Sequence, residues 1–238
     1  MSPLTFSILY DNNPYKPEFV TDWGFSCLIQ GLEKTILFDT GAKHEILLDN
    51  ISKLGKTPEL VDQIFLSHEH FDHTGGLEGF LALNSDVTVF IPDFFPNKTK
   101  KIVVDAGSCP VSITGPQKLL PGAFTTGVMN GWIKEQSLVL ETDKGLILIT
   151  GCAHPRITNI IAFTKDQFQR NIYLVFGGFH LGGFEDREIK EIIRLFRQAG
   201  IEKVGPTHCS GLEARTLFKE EYGKDFLELG AGSVWSIE

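Results

Sequence analysis

The sequence predicts a protein of the α/β (α+β) class, two mixed sheets with outer helices in a layered sandwich. Three observations carry that prediction. The first half is a series of short apolar runs with Gly, Pro, Asn or Asp at most boundaries. The second half changes to strand–helix alternation. Histidines recur just past the ends of apolar runs, at the kind of sheet edge where α/β architectures keep their chemistry.

Taken in order, the expected strands of the first half are Phe6–Tyr10, Gly24–Gln30, Thr35–Phe38, Gln63–Leu66 and Val87–Ile91. A helix over about Lys43–Leu54 follows from Leu47, Ile51 and Leu54 on one face, with Gly55 as the stop. A second is expected from Thr74 or Gly75, carrying Leu77, Phe80, Leu81 and Leu83. The Pro-, Gly- and Thr-rich stretch 92–132 reads as short strands and surface loops. Ser137–Glu141 and Leu146–Thr150 flank Thr142-Asp143-Lys144-Gly145, a hairpin pattern. A helix from Pro155 presents Ile157, Ile160, Ile161 and Phe168, and Asn171–Phe176 is the next strand. A helix over Asp186–Ala199 presents Ile189, Ile192, Ile193 and Phe196 before Gly200. Lys203–Thr207 leads to a helix opened by the capping-box pattern Ser210-Gly211-Leu212-Glu213. Phe226–Leu229 and Ser233–Ile237 close the chain as strands.

At 238 residues, with no repeat, low-complexity tract or linker-like segment, a single domain over 1–238 is expected. The net charge of −8 argues against a nucleic-acid or anionic-membrane partner. It is compatible with an anionic small substrate, because a bound dication dominates the local field. Cys27, Cys109, Cys152 and Cys209 are scattered without a Cys-x-x-Cys pair. Together with the absence of a signal-peptide pattern or a run of about 20 apolar residues, this leads us to expect a soluble, cytoplasmic chain with reduced thiols.

The chemistry is concentrated in Ser67-His68-Glu69-His70-Phe71-Asp72-His73, directly after Ile64-Phe65-Leu66. Imidazole and carboxylate together suit borderline divalent cations: zinc first, with manganese, iron or magnesium as alternatives. Three further segments repeat one arrangement, an apolar strand, small residues, then a histidine. They lead to His154, His180 and His208. A lone histidine after a strand is usually a hydrogen-bonded surface or core residue. Three of them behind a His-x-His-x-Asp-His cluster point to joint binding of one or two divalent metal ions. His44, alone on an expected helix, reads as solvated.

Leu37-Phe38-Asp39-Thr40-Gly41, Ser67 through Gly76, Thr150-Gly151-Cys152-Ala153-His154, the strand end at His180, and His208 together resemble the metallo-β-lactamase superfamily, in the order that family requires. The resemblance implies a four-layer αββα sandwich with a two-metal site. In it His68, His70 and His154 hold one cation, and Asp72, His73 and His208 the other. Asp39 becomes a group that orients a ligand imidazole. Di-iron redox members carry a carboxylate at position 70, so His70 points to zinc-like, non-redox work. His180 departs from the hydrolytic pattern, which has an aspartate whose carboxylate spans both metals. An imidazole has one lone pair and cannot span them. His180 is therefore either a ligand or an acid–base group facing substrate. Asp72 and His180 are the catalytic candidates.

Trp23-Gly24-Phe25-Ser26, the hairpin 138–146, Phe176-Gly177-Gly178-Phe179-His180-Leu181 and Pro206-Thr207-His208-Cys209-Ser210-Gly211 resemble one branch of the superfamily. That branch includes a synthase joining a dihydropterin diphosphate to a ribosylated aminobenzene phosphate, with loss of diphosphate. Two enzymatic readings follow, each with a small-molecule substrate that could contain phosphate or a pterin. One is metal-assisted hydrolysis with Asp72 orienting the attacking water; the other is diphosphate-releasing condensation. A metal-bound sensor or binding module is the non-enzymatic alternative. Arg156, after His154-Pro155, either pairs with a phosphate or faces solvent. Trp23, Phe25, Phe71 and Phe179 either stack on a ring or pack in the core.

Overall fold

The apolar runs become strands within a residue or two of their expected bounds. In the computed structural model, which describes residues 3–238, these are β1 (Leu4–Tyr10), β2 (Ser26–Gln30), β3 (Ile36–Phe38), β4 (Gln63–Phe65), β5 (Thr88–Pro92), β6 (Cys109–Ile113), β7 (Gln117–Leu120), β8 (Ala123–Thr125), β9 (Leu138–Thr142), β10 (Gly145–Thr150), β11 (Ile172–Gly178), β12 (Lys203–Thr207) and β13 (Val234–Ile237). The helices are α1 (His44–Lys53), α2 (Phe71–Thr74), α3 (Leu77–Leu81), α4 (Asn97–Asp105), α5 (Ile157–Phe168), α6 (Asp186–Gln198) and α7 (Leu212–Tyr222).

Backbone packing divides the chain into two compact units, Met1–Gly115 with Gly230–Glu238, and Pro116–Leu229. The first holds a mixed sheet in the order β13-β1-β2-β3-β4-β5-β6. Its β3, β4, β5 and β6 pair in parallel, which suits strands buried on both faces. Leu28, Leu37, Ile64 and Val89 pack with Leu47 and Ile51 of α1, Phe80 of α3 and Val103 of α4. Each such side chain contributes about 1.5–3 kcal/mol of burial.

The second unit holds the order β12-β11-β10-β9-β8-β7. Its β10, β11 and β12 run parallel, and the expected hairpin is the antiparallel β9–β10 pair. The core gathers Leu148 and Val175 with Ile160 of α5, Ile189 and Phe196 of α6, and Phe218 of α7. Phe179, just past β11, sits 5.5 Å from Phe196 and 5.7 Å from Phe218 between ring centres. That aromatic contact anchors the residue beside His180.

Several elements differ from expectation. The stretch 92–132 contains a helix, α4, where only strands and loops were expected. Ile102-Val103-Val104 is a β-branched run of poor helix propensity, but burial of Val103 and the Lys101–Asp105 ion pair at 2.8 Å accompany a helix there. The helix expected from Thr74 is two short ones, and the first begins at Phe71, inside the histidine motif. Leu83, expected on its apolar face, lies beyond α3 and is exposed. The expected Ser210 capping box does not form. The N-cap is Gly211, and the Ser210 hydroxyl donates to the Thr207 carbonyl at 2.7 Å and accepts the Phe179 N–H at 3.0 Å. The helix expected from Pro155 begins at Ile157. Phe226–Leu229 is not a strand: it makes one isolated bridge, Val204 to Phe226. Among the described residues no helix is long and apolar enough to cross a membrane.

Candidate metal centre

In the first unit, β4 ends at Phe65 and the chain runs through His68 to His70, which has extended backbone at the start of α2. Asp72 and His73 therefore sit on a helical turn, both buried, as is His68. The loop is held from below. Gly24 approaches so closely that a Cβ there would stand 2.6 Å from the Asp72 carbonyl, and the Phe25 N–H donates to that same oxygen at 3.1 Å.

Asp39, fully buried and in the left-handed region (φ 52), follows β3. Its Oδ1 accepts the Ser67 N–H at 2.7 Å. Its Oδ2 accepts the Ser67 hydroxyl at 2.6 Å and His73 Nδ1–H at 2.7 Å. Ser67 has one hydroxyl hydrogen and commits it to the carboxylate, so its oxygen is the acceptor toward His68 Nδ1 at 2.9 Å. One carboxylate thereby fixes two imidazoles as Nδ1–H tautomers, so that the Nε2 of each is the lone-pair nitrogen, the atom able to bind a cation or accept a hydrogen bond. His68 Nε2 lies 3.1 Å from His70 Nδ1, and His73 Nε2 lies 3.7 Å from Asp72 Oδ2. Three imidazoles and a carboxylate, oriented by a buried acid, fit a borderline divalent cation.

The second unit delivers its donors from three strand ends. His154 follows β10, His180 follows β11 and His208 follows β12; His154 and His208 are buried. His180 and His208 take left-handed backbone (φ 52 and 50), as does Ala153 (φ 59). Such strained positions cluster where a site demands them. The His154 and His180 ring centres are 4.6 Å apart. Cys152, His180 and Cys209 present donor atoms all within 4.8 Å of one another. Burial pushes the Cys209 thiol up, but hydrogen bonds with Cys152 and His180 and the charges of His208 and His180 hold it well below its ordinary range. Imidazole and thiol donors also suit zinc-class cations.

Two residues important to this arrangement were not singled out from the sequence. Glu135 is buried, and its carboxylate accepts four backbone N–H groups: Gly151, Cys152 and Ala153 on Oε1 and His154 on Oε2, at 2.9–3.0 Å. An acidic residue two positions before the expected strand Ser137–Glu141 was its only signal. Trp132, strongly exposed, donates its indole N–H to His154 Nδ1 at 3.0 Å. An acceptor at Nδ1 puts the proton of a neutral His154 on Nε2. His154 thus has the tautomer opposite to His68 and His73.

A cavity of about 390 Å³ in the second unit is lined by Trp132, His154, Arg156, His180, Phe184 and Ile192, among others. Arg156 is exposed, with left-handed backbone (φ 75) before α5. Of the aromatics named from sequence, Trp23 and Phe71 are exposed, whereas Phe25 and Phe179 are buried in packing. His44 opens α1, partly exposed, with Nδ1 3.5 Å from Glu45. Cys27, Cys152 and Cys209 are buried and Cys109 exposed; all are free thiols.

The model of the metallo-β-lactamase superfamily matches residues 24–212. The chain belongs to that superfamily. It is 31% identical, over 96% of its length and 95% of the relative's, to 7,8-dihydropterin-6-methyl-4-(β-D-ribofuranosyl)aminobenzene-5′-phosphate synthase of Methanocaldococcus jannaschii, and it falls in the branch containing that enzyme. An uncharacterised protein of the same organism is 29% identical over 88% of this chain and 91% of its own. A solved metal-dependent hydrolase of the β-lactamase superfamily aligns with TM-score 0.82 and 27% identity, covering 98% of this chain and 99% of the other. The α/β class with two mixed sheets and flanking helices is thus the superfamily's fold. The chain is an enzyme of this superfamily, whose members use divalent metals and include both hydrolases and a synthase.

Proposed function

We propose that this protein uses two divalent cations, zinc in the first place, to join a dihydropterin-type diphosphate to an arylamine with release of diphosphate. His180 carries the reading. It stands at the β11 end, where hydrolytic relatives generally hold a bridging aspartate, and the donors grouped with it in the second unit are the thiols of Cys152 and Cys209. A centre without a bridging carboxylate suits the binding of a leaving phosphate better than water activation. The 31% identity to the synthase supports the same choice.

In this reading His68, His70 and His154 hold one cation, Asp72, His73 and His208 the other, with His180 beside them. When bound, the cations neutralise and polarise phosphate oxygens. The chain supplies the rest. Asp39 and Ser67 set the protons of His68 and His73. Glu135 fixes the segment that bears His154. The Arg156 guanidinium, on the cavity wall, pairs with a phosphate. Trp132 and the apolar cavity wall accept a flat ring and keep water from it. The chain works as one domain over 1–238, and its compartment is the cytoplasm, where the four free thiols stay reduced.

Hydrolysis of a small phosphorylated substrate is the second reading, favoured by the 27% identity to a solved hydrolase. Metal analysis and an anomalous-scattering map are expected to show zinc rather than manganese, iron or magnesium. Dihydropterin diphosphate is then offered with and without an aminobenzene ribosyl phosphate. Diphosphate release that depends on the amine is the expected result. Equal release into water alone sinks the synthase reading in favour of the hydrolase, and a chain that retains no metal sinks both.

A further inference from the structure

The thiols of Cys152 and Cys209 hold neither of the two cations assigned above, yet the second unit brings them together beside His180. Three consecutive parallel strands deliver the group: Cys152 lies two residues past β10, His180 two past β11 and Cys209 two past β12. On the middle strand, Gly178 leaves the necessary space. A Cβ there would stand 2.7 Å from Cys209 Sγ and 2.2 Å from the Gly151 carbonyl. Cys209 Sγ reaches to within 3.8 Å of the Cys152 carbonyl. Glu135 clamps the N–H groups of Gly151, Cys152 and Ala153, so the first thiol is held by its backbone. Left-handed backbone at His180 and His208 turns the other two strand ends.

Both thiols are buried, at 3% and 8% exposure, and neither is in a disulfide. Two sulfurs and an imidazole are a donor set for zinc-class and softer cations, not for magnesium or calcium. Bond lengths of about 2.3 Å to sulfur and 2.0 Å to nitrogen give tetrahedral ligand–ligand edges of about 3.5–3.8 Å. The three donor atoms already lie within 4.8 Å of one another, so closure needs shifts of about 1 Å. His180 lines the cavity of about 390 Å³, which gives an ion its way in.

We propose that Cys152, His180 and Cys209 form a thiol-rich site for a zinc-class cation. The proposal does not rest on the synthase reading. It assigns His180 to sulfur-paired metal binding and leaves the fourth coordination position open toward the cavity.

The test uses the full chain carrying Cys109→Ser, which removes the exposed thiol, kept reduced with a phosphine and titrated with cobalt(II) alone. A sulfur-to-cobalt charge-transfer band in the near ultraviolet is expected. Cys152→Ser and Cys209→Ser should each weaken that band and lower the affinity of the ion producing it at least about tenfold. Saturation with cobalt without such a band overturns the proposal, as does a band that survives in the Cys152→Ser/Cys209→Ser double variant. Should the variants not fold, zinc-edge X-ray absorption of the unaltered protein decides. Sulfur neighbours support the site, and a shell of nitrogen and oxygen only overturns it.

Discussion

In the first unit four ligand-type side chains come from the six residues His68–His73, whereas in the second His154, His180 and His208 are separated by 26 and 28 positions. The contiguous set needs one organiser. Asp39, directly and through Ser67, orients two imidazoles so that Nε2 is the lone-pair nitrogen of each. The dispersed set needs a support at each strand end: the Glu135 clamp, left-handed backbone at Ala153, His180 and His208, and the bare Gly178. The two sets also differ in proton placement, since Trp132 keeps the His154 proton on Nε2. Donors close in sequence require orientation. Donors distant in sequence require scaffolding, and most of the cost of the site falls there.

That contrast can be broken most forcefully at Glu135. Glu135→Ala leaves four buried N–H groups without their acceptor, and a loss of about 3–5 kcal/mol is expected in urea unfolding. A loss below about 1 kcal/mol would mean that the clamp is not what supports the second set. Gly178→Ala comes next: overpacking against Gly151 and Cys209 should cost about 1–3 kcal/mol in the same assay. An unchanged midpoint would show that the strand ends adjust freely.

Asp39→Asn probes the contiguous set. An amide keeps one accepting oxygen and puts an NH2 donor in place of the other, so metal affinity should fall about 10–100-fold in a competition titration with a chromophoric chelator. Trp132 offers a subtler comparison. A cation on either nitrogen of a neutral His154 removes the acceptor or reverses the donor, so metal loading must break the indole bond. Tryptophan emission should change on zinc addition, and Trp132→Phe should abolish that change. Persistence of the full change in the variant would assign it to Trp23 or Trp235.

The smallest effect concerns how the 226–229 segment is held without a strand. Lys219 and then Arg215 hold Glu228 below the usual carboxylate range. A depressed acid contributes stability that is present above its unfolded pKa of about 4.3 and lost as pH falls through its lower folded value. Being largely solvated, the pair should change stability by less than about 1 kcal/mol. Unfolding of Glu228→Gln compared with the unaltered chain between pH 6 and about pH 3 measures it; a difference that grows on acidification contradicts the sign.

Much of the fold could be read from apolar spacing, because each helix and strand shows its buried face to the chain around it. Ile189, Ile193 and Phe196 mark α6, and Ile147–Ile149 mark β10. The misreadings lie where a distant contact overrules local preference. Val103 draws a β-branched run into α4, and the Ser210 hydroxyl turns to Thr207 and Phe179 instead of capping α7. For the candidate site, the sequence named His68, His70, Asp72, His73, His154, His180 and His208 as candidate donors, and Asp39 entered only through the resemblance to the superfamily, since Asp39-Thr40-Gly41 alone reads as a turn. Glu135 and Trp132 were not named, since the backbone N–H groups of 151–154 that bond the Glu135 carboxylate and the His154 ring that accepts from Trp132 lie 16 or more positions away.

By itself, then, the order of residues determined which chemical groups are present and which strands carry them, since periodicity and donor type are local properties. Only the folded chain decided which nitrogen of each imidazole holds the proton, and that two distant thiols share a space with His180. Hydrogen-bond direction and close approach depend on partners that the chain brings near only after its sheets have formed.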